Sequence, residues 1–230
     1  MGTAINMGAV ILGAAVGVGL GQRLPARVRE TVMDGLGLLT FIMGLRMAFE
    51  TEQFLVMLGS ILLGGLVGEA LAIERRLESF GDYLQARMSV GSSTFSTGFV
   101  TASLMFCVGP LAVLGSIEDG LKGTIEILAV KSVLDGFASL AFAATLGWGV
   151  AFSALPLMVY QGALTLGAGF FDRVLTEAMI NEMTAVGGLL VLSIGLRLLG
   201  LREIRTGNLL PGLLLAPVLV VVGERLSGLL

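Results

Sequence analysis

Long apolar runs separated by short polar stretches recur along the whole chain. Eight membrane spans can be drawn through them: residues 2–22, 31–49, 54–73, 97–116, 124–147, 149–171, 182–200 and 207–228. Each is close to the length that the hydrocarbon core of a bilayer requires. Strand-type alternation is absent, and backbone groups in lipid must bond within their own segment, so the runs are expected to be helices. The fold class this predicts is an all-α polytopic membrane protein with about eight transmembrane helices.

The longest polar interval starts at Glu74 and ends near residue 96. Its first half, ERRLESFGDYLQARM, spaces Leu77, Phe80, Leu84 and Met88 at helical intervals among charges. That pattern predicts an amphipathic helix on the membrane surface, with a short soluble helix packed on neighbouring loops as the alternative. The stretch that follows, SVGSSTFSTG, reads as a flexible linker.

Internal similarity then organises the spans. GAVILGA at 8–14 matches GALTLGA at 162–168, GLLTFIMGLR at 37–46 matches GLLVLSIGLR at 188–197, and GEAL at 68–71 matches GERL at 223–226, with offsets of 154, 151 and 155. Three collinear matches relate spans 1–3 to spans 6–8. The two units start an odd number of crossings apart, so they form an inverted-topology repeat if every span crosses fully. The expected organisation is one membrane domain: 1–73 as repeat unit one, 74–96 as a cytoplasmic amphipathic helix and linker, 97–148 as a central helix pair, and 149–230 as repeat unit two.

Loop charge agrees with the inversion. Arg23, Arg27 and Arg29 follow span 1 but only Arg173 follows span 6; Glu50 and Glu52 follow span 2 but Arg202 and Arg205 follow span 7. An N-terminus in the periplasm puts Arg23, Arg27, Arg29, Arg202 and Arg205, together with Arg75, Arg76 and Arg87, in the cytoplasm, against Lys122, Arg173 and Arg225 outside. The positive-inside rule favours that orientation.

Composition narrows the function classes. The chain of 230 residues is 55% hydrophobic and 13% charged, with a mean hydropathy of +0.94 and a net charge of -3. Its bases are scattered, so nucleic acid is not an expected partner. No base precedes the first apolar run, which reads as a retained span and not as a cleaved leader. Cys107 is the single cysteine, which rules out an intrachain disulfide. No histidine is present, which removes zinc proteases of the His-Glu-x-x-His type and Ser-His or Cys-His catalysis. Neither a phosphate loop nor a dinucleotide fingerprint occurs, so no cofactor, no metal and no enzymatic activity are expected.

The candidate chemistry lies in the centre of the chain. Span 4 carries Cys107, Gly109 and Pro110 near its middle. Pro110 lacks an amide hydrogen and its ring clashes with the Phe106 carbonyl, so an interruption of the span at Gly109-Pro110 that frees this carbonyl for a ligand, a water or a polar side chain is expected, with a kink that only shapes packing as the alternative. In span 5, Leu128, Lys131, Ser132, Asp135 and Ser139 share one helical face. An isolated charge at the bilayer centre costs several kcal/mol, so Lys131 and Asp135 are expected to pair or to line water, as a path or as a buried ion pair that sets register. Glu126, nearer the end of the span, is expected to reach the interface. The link GSIEDGLKG adds Ser116, Glu118, Asp119 and Lys122, as a solvated turn or an outer vestibule. Asn6 and Gln161 sit one repeat offset apart and are expected to meet near the pseudo-two-fold axis. Arg46 and Arg197, also equivalent, are expected to snorkel to the interface. Gly13, Gly17 and Gly21, and Gly64 and Gly68, have the four-residue spacing of close helix packing, internal or, as the alternative, between copies in a homo-oligomer.

The elements FCVGPLAVLGSIEDGLKG, LAVKSVLDG, VYQGALT and GEALAIERRLESFG closely resemble the bacterial inner-membrane YqgA/YdfK-like family, a domain of unknown function numbered 554. The resemblance covers nearly the whole chain. It implies an integral membrane protein and, for some members, a role in transport; it names no substrate.

The function expected from these residues is a membrane transporter or channel for a small ion or solute. Its path would be lined by Cys107, Gly109, Pro110, Ser116 and Asp119 of the broken span and its link and by Lys131, Ser132 and Asp135, with Asn6 and Gln161 as repeat-related contacts. The alternative is a structural or regulatory membrane scaffold that binds a partner through the surface helix at 74–88.

Overall fold

The computed structural model describes residues 1–88 and 94–227. Residues 89–93 of the expected linker lie outside them, as does the side chain of Met88. Among the described residues every regular element is helical: α1 (Gly2–Gly21), α2 (Ala26–Ala48), α3 (Phe54–Ala70), α4 (Ile73–Met88), α5 (Phe95–Cys107), α6 (Pro110–Lys122), α7 (Glu126–Leu146), α8 (Gly149–Phe152), α9 (Ala154–Leu166), α10 (Ala168–Val174), α11 (Glu177–Leu198), a 3-10 turn at Thr206–Leu209 and α12 (Pro211–Ser227). Six stretches are long and apolar enough to cross a bilayer, and the bent pairs α3 with α4 and α5 with α6 raise the number to eight. The chain is therefore an all-α membrane protein. Its exposed large apolar side chains, such as Leu38, Leu39 and Ile42 on α2 and Leu62, Leu63 and Leu66 on α3, belong in lipid.

Three seams of small residues hold the bundle together. Along α1, a Cβ on Gly13, Gly17 or Gly21 would fall on the carbonyl oxygens of Gly136, Leu140 and Ala144 of α7. Gly44 of α2 meets the Leu192 and Gly188 backbone of α11 in the same way, Gly37 meets the Leu199 side chain just beyond α11, and Gly64 and Gly68 of α3 meet Gly212 and Asn208 beside α12. With no side chain between them the backbones approach closely, which replaces the hydrophobic driving force that lipid does not supply. The glycine spacings noted in α1 and α3 thus serve internal packing.

The pairing order along each seam also fixes direction. Residue numbers rise together along α1 and α7, so these helices run parallel, whereas they rise oppositely along α2 and α11 and along α3 and α12. Between α1 and α7, α2 and α3 account for two crossings, so the parallel order requires a third. It is made by α5 and α6 together. Thr94, at the start of α5, donates to the Leu146 carbonyl at the end of α7 (3.0 Å), and Asp119, near the end of α6, accepts from the Gly2 N–H at the start of α1 (2.9 Å). The two ends of the broken span thus lie at opposite ends of the bundle.

Several boundaries move from those the apolar pattern implied. α2 begins at Ala26 and α11 at Glu177, each earlier than expected, because their first turns are polar yet continue the helix. The sixth span is divided into α8, α9 and α10. The link after span 4 is no turn: α6 continues through it to Lys122, and Glu118 and Lys122 pair along its outer face at 3.3 Å. The surface helix α4 forms, but its apolar stripe turns inward. Leu77 and Leu84 pack against the cluster of Phe95, Phe99, Val100 and Leu104 of α5, while Phe80 and Tyr83 are about half exposed.

The seams make a direct prediction. Gly17→Leu forces α1 off α7 and lowers stability by at least about 3 kcal/mol, the upper range for overpacking. Gly19→Leu on the same helix, where a Cβ meets nothing within 4 Å, leaves thermal unfolding in detergent unchanged. Equal unfolding temperatures for the two variants would refute the seam.

Candidate functional site

α7 presents Leu128, Lys131, Ser132, Asp135 and Ser139 on one buried face. Lys131 Nζ and Asp135 Oδ2, one turn apart, form a direct ion pair. The same Oδ2 accepts a hydrogen bond from Asn6 Nδ2 of α1 (2.9 Å), and Asn6 Nδ2 also reaches Gln161 Oε1 of α9 at 3.5 Å. Asn6 and Gln161 are wholly buried. Two helices therefore meet at one carboxylate, and a third reaches it through Asn6. The α1–α7 contact is tied further by Ser139 Oγ, which donates to the Val10 carbonyl at 2.7 Å.

Further polar atoms are buried elsewhere in the bundle, most of them on the helices that meet here. Thr3 Oγ1, Asn6 Oδ1, Ser60 Oγ, Ser116 Oγ, Gln161 Nε2 and Thr165 Oγ1 are buried without a protein partner. All except Ser60 belong to α1, α6 and α9. Ser116 lies on the face of α6 between Asp119, which meets the start of α1, and Gly120, which abuts the Thr165 carbonyl of α9. An unpaired buried polar group costs about 1–3 kcal/mol, so five in one region mark a place suited to water or a polar ligand.

On the other side of the ion pair lies the break. α5 stops at Cys107, Val108 is extended, and Gly109 takes φ 132° and ψ 153°, a conformation that a residue with a Cβ rarely adopts. Pro110 is the first residue of α6, where its missing N–H leaves no helical bond unmade. The expected interruption at Gly109-Pro110 is thus a complete break, with two helices inclined at 62°. Gly109, Pro110, Leu111 and Ala112 line a cavity of about 440 Å³ together with Lys131 and Asp135, facing Leu36, Thr40, Met43 and Met47 of α2 and Met105 of α5. Lys131 and Asp135 are the charged groups in an otherwise apolar wall.

A second polar cleft, of about 710 Å³, sits where α3 passes into α4. The buried Glu74 carboxylate accepts from the Gly207 N–H (2.5 Å) and from Arg197 (3.3 Å), and the Glu74 N–H donates to Asn208 Oδ1 (2.7 Å). Asn208 and Arg205 both donate to Glu69 at 2.6 Å. This clasp fastens α4 to the entrance of α12. Burial pushes the Glu74 carboxyl above its ordinary range, with the Gly207 N–H and Arg197 pulling the other way.

The family model described as "Protein of unknown function (DUF554)" matches residues 1–221. The chain belongs to this family. It is 32% identical over 225 residues to "Uncharacterized membrane protein YdfK" of Bacillus subtilis, covering 96% of each chain, and 33% identical over 221 residues to "Uncharacterized protein YqgA" of Escherichia coli, covering 94% of each. No solved structure matches it.

The structure gathers most of the residues singled out in the sequence. Asn6, Gln161, Lys131 and Asp135 meet directly, Gly109 and Pro110 share a cavity with the ion pair, and Ser116 and Asp119 are buried next to α1 and α9 instead of solvated in a turn. Ser132 stands apart, since its hydroxyl donates back to the Leu128 carbonyl (2.6 Å). Cys107 is half-buried at the end of α5, within electrostatic range of Lys131 and Asp135, but outside the cavity wall. Arg197 does not snorkel freely; it pairs with Glu74. Glu126 and Arg46 are exposed at helix ends, as expected. Glu182 was missed. It is buried on α11 and accepts from Thr51 Oγ1 (2.8 Å) and from the N–H groups of Glu52 and Gln53 (2.8 Å), capping the start of α3. An acid followed directly by the apolar run of span 7 was the signal available.

The clasp predicts a pH dependence. A carboxyl raised in the folded state holds its proton more tightly there than in the unfolded chain, so stability falls as pH rises above the ordinary value of 4.5 toward neutrality. Glu74→Gln flattens that slope, measured as unfolding temperature against pH in detergent. An unchanged slope would refute this role for Glu74.

Proposed function

We propose that this membrane protein is a transporter or channel for a small ion or solute in the bacterial inner membrane, with a path lined by the α5–α6 break and by α7. The observation that carries the reading is the Lys131–Asp135 pair, buried in a membrane span, shared with Asn6, and opening onto the cavity at Gly109-Pro110. Ionisable groups inside a membrane are costly and mark solute or ion pathways, and interrupted helices supply such sites near the midplane. A pair that served only to set helix register would need neither the cavity nor the unpartnered polar atoms beside it.

The antiparallel packing of α2 on α11 and of α3 on α12 supports an inverted repeat of residues 1–73 and 149–230. Such a repeat, with the loop arginines, favours a periplasmic N-terminus. A scaffold role through α4 draws less support, since Leu77 and Leu84 are spent on α5.

In proteoliposomes loaded with panels of ions and metabolites, the wild-type chain gives a solute-dependent flux. Asp135→Asn and Lys131→Ala reduce that flux to the level of empty vesicles while the variants insert and purify normally. Flux unchanged in both variants would sink the assignment of the path.

A further inference from the structure

The unpartnered polar atoms are ordered in depth. At the surface end of α1, the Gly2 N–H meets Asp119, with Thr3 next to it on α1 and Thr165 reached through Gly120. One turn deeper on the same three helices stand Asn6, Ser116 and Gln161, and Asn6 touches Asp135. The steps from Thr3 to Asn6, from Asp119 to Ser116 and from Thr165 to Gln161 are each three or four residues. Such a step is about 5 Å along a helix axis, the reach of one water making two hydrogen bonds of about 2.8 Å.

We propose that this column is a proton path and that Asp135 is the group that binds the proton, which makes transport through the same site proton-coupled; the coupling rests on the transport reading above. The donor set favours a proton over a metal cation. Lys131 already holds Asp135 Oδ2, and the column mixes an acceptor (Asn6 Oδ1), a donor (Gln161 Nε2) and hydroxyls, which suits water, whereas a hard cation needs oxygen acceptors throughout. Among the described residues, no group of three His, Cys, Asp or Glu side chains could hold a metal ion.

The groups facing Asp135 are few. Lys131 comes from its own helix, Asn6 from α1, Gln161 from α9 by way of Asn6, and the Cys107 thiol from α5, with the Tyr160 phenol of α9 beside that thiol. α2 brings Thr40 and apolar side chains to the cavity but no titratable group, and α6 brings Pro110, Leu111 and Ala112 there, with Asp119 at the far end of the column. In the transfer step a hydronium in the column gives its proton to an Asp135 carboxylate oxygen and remains as water. The new O–H bond removes the negative charge, the Lys131 Nζ–H···Oδ2 ion pair is released, and Lys131 keeps its three hydrogens and its charge facing the cavity.

The test uses the full chain in lipid vesicles that hold a pH-sensitive dye, with the membrane potential clamped by potassium and valinomycin, and a downward step in external pH. Wild type acidifies the interior faster than empty vesicles do. Ser116→Val and Gln161→Leu slow this about tenfold, and Ser60→Val, at the unpartnered hydroxyl outside the column, does not. Ser116→Thr restores the rate, which separates a lost path from a misfolded chain. Infrared pH-difference spectra show a protonated-carboxyl band that Asp135→Asn lacks and Ser116→Val retains. Wild type no faster than empty vesicles, column variants as fast as wild type, or a band that survives Asp135→Asn would each overturn the proton path. Solute flux that persists in slowed column variants and ignores pH overturns the coupling and leaves transport standing. Proton entry without flux of any solute overturns transport and the coupling together and leaves the path in place.

Discussion

An ammonium and a carboxylate held one helical turn apart inside an apolar bundle constrain everything packed around them. Removing two charges from water costs several kcal/mol per ion, and mutual attraction offsets this only when geometry is good and further hydrogen bonds satisfy the remaining lone pairs. Lys131 and Asp135 meet both conditions on the backbone of α7. Asn6 adds the extra hydrogen bond, and it can do so only because the glycines of α1 let that helix lie against α7 in parallel register. Parallel α1 and α7 in turn require an extra crossing between them, which α5 and α6 supply. The break in that crossing delivers Gly109 and Pro110 to the cavity beside the pair.

Much of this was legible in the residues. Apolar run length gave the number and type of spans, because lipid leaves the backbone no alternative to helix. Helical periodicity placed Lys131, Asp135 and Ser139 on one face, and the repeat offset brought Asn6 and Gln161 together. What could not be read depends on contacts remote in sequence. The depth of Asp119 follows from where α6 ends relative to α1, and its own segment, rich in charge and glycine, resembles any exposed turn. The inward turn of Leu77 and Leu84 reflects the presence of α5, and an amphipathic stripe looks the same whether it meets lipid or protein. Glu182 is a cap for a helix well over a hundred residues away. The Gly-Pro break was legible too, but not its form: the left-handed Gly109 ends α5 outright and leaves Pro110 a favourable first position in α6.

The unequal ways in which helices are joined have a mechanical consequence. Where backbones touch along the glycine seams, no side chain can change rotamer to let one helix slide on the other, so α1 with α7, α2 with α11 and α3 with α12 act as stiff struts. α5 and α6 are pinned differently. Gly149 sits on the Phe95 carbonyl at the outer end of α5, and Gly120 on the Thr165 carbonyl at the outer end of α6, while their inner ends are linked by the extended Val108 and Gly109. Two short levers anchored at opposite ends of the bundle thus meet at an elbow where Val108 packs on Gly187 of α11, next to the buried Lys131–Asp135 pair.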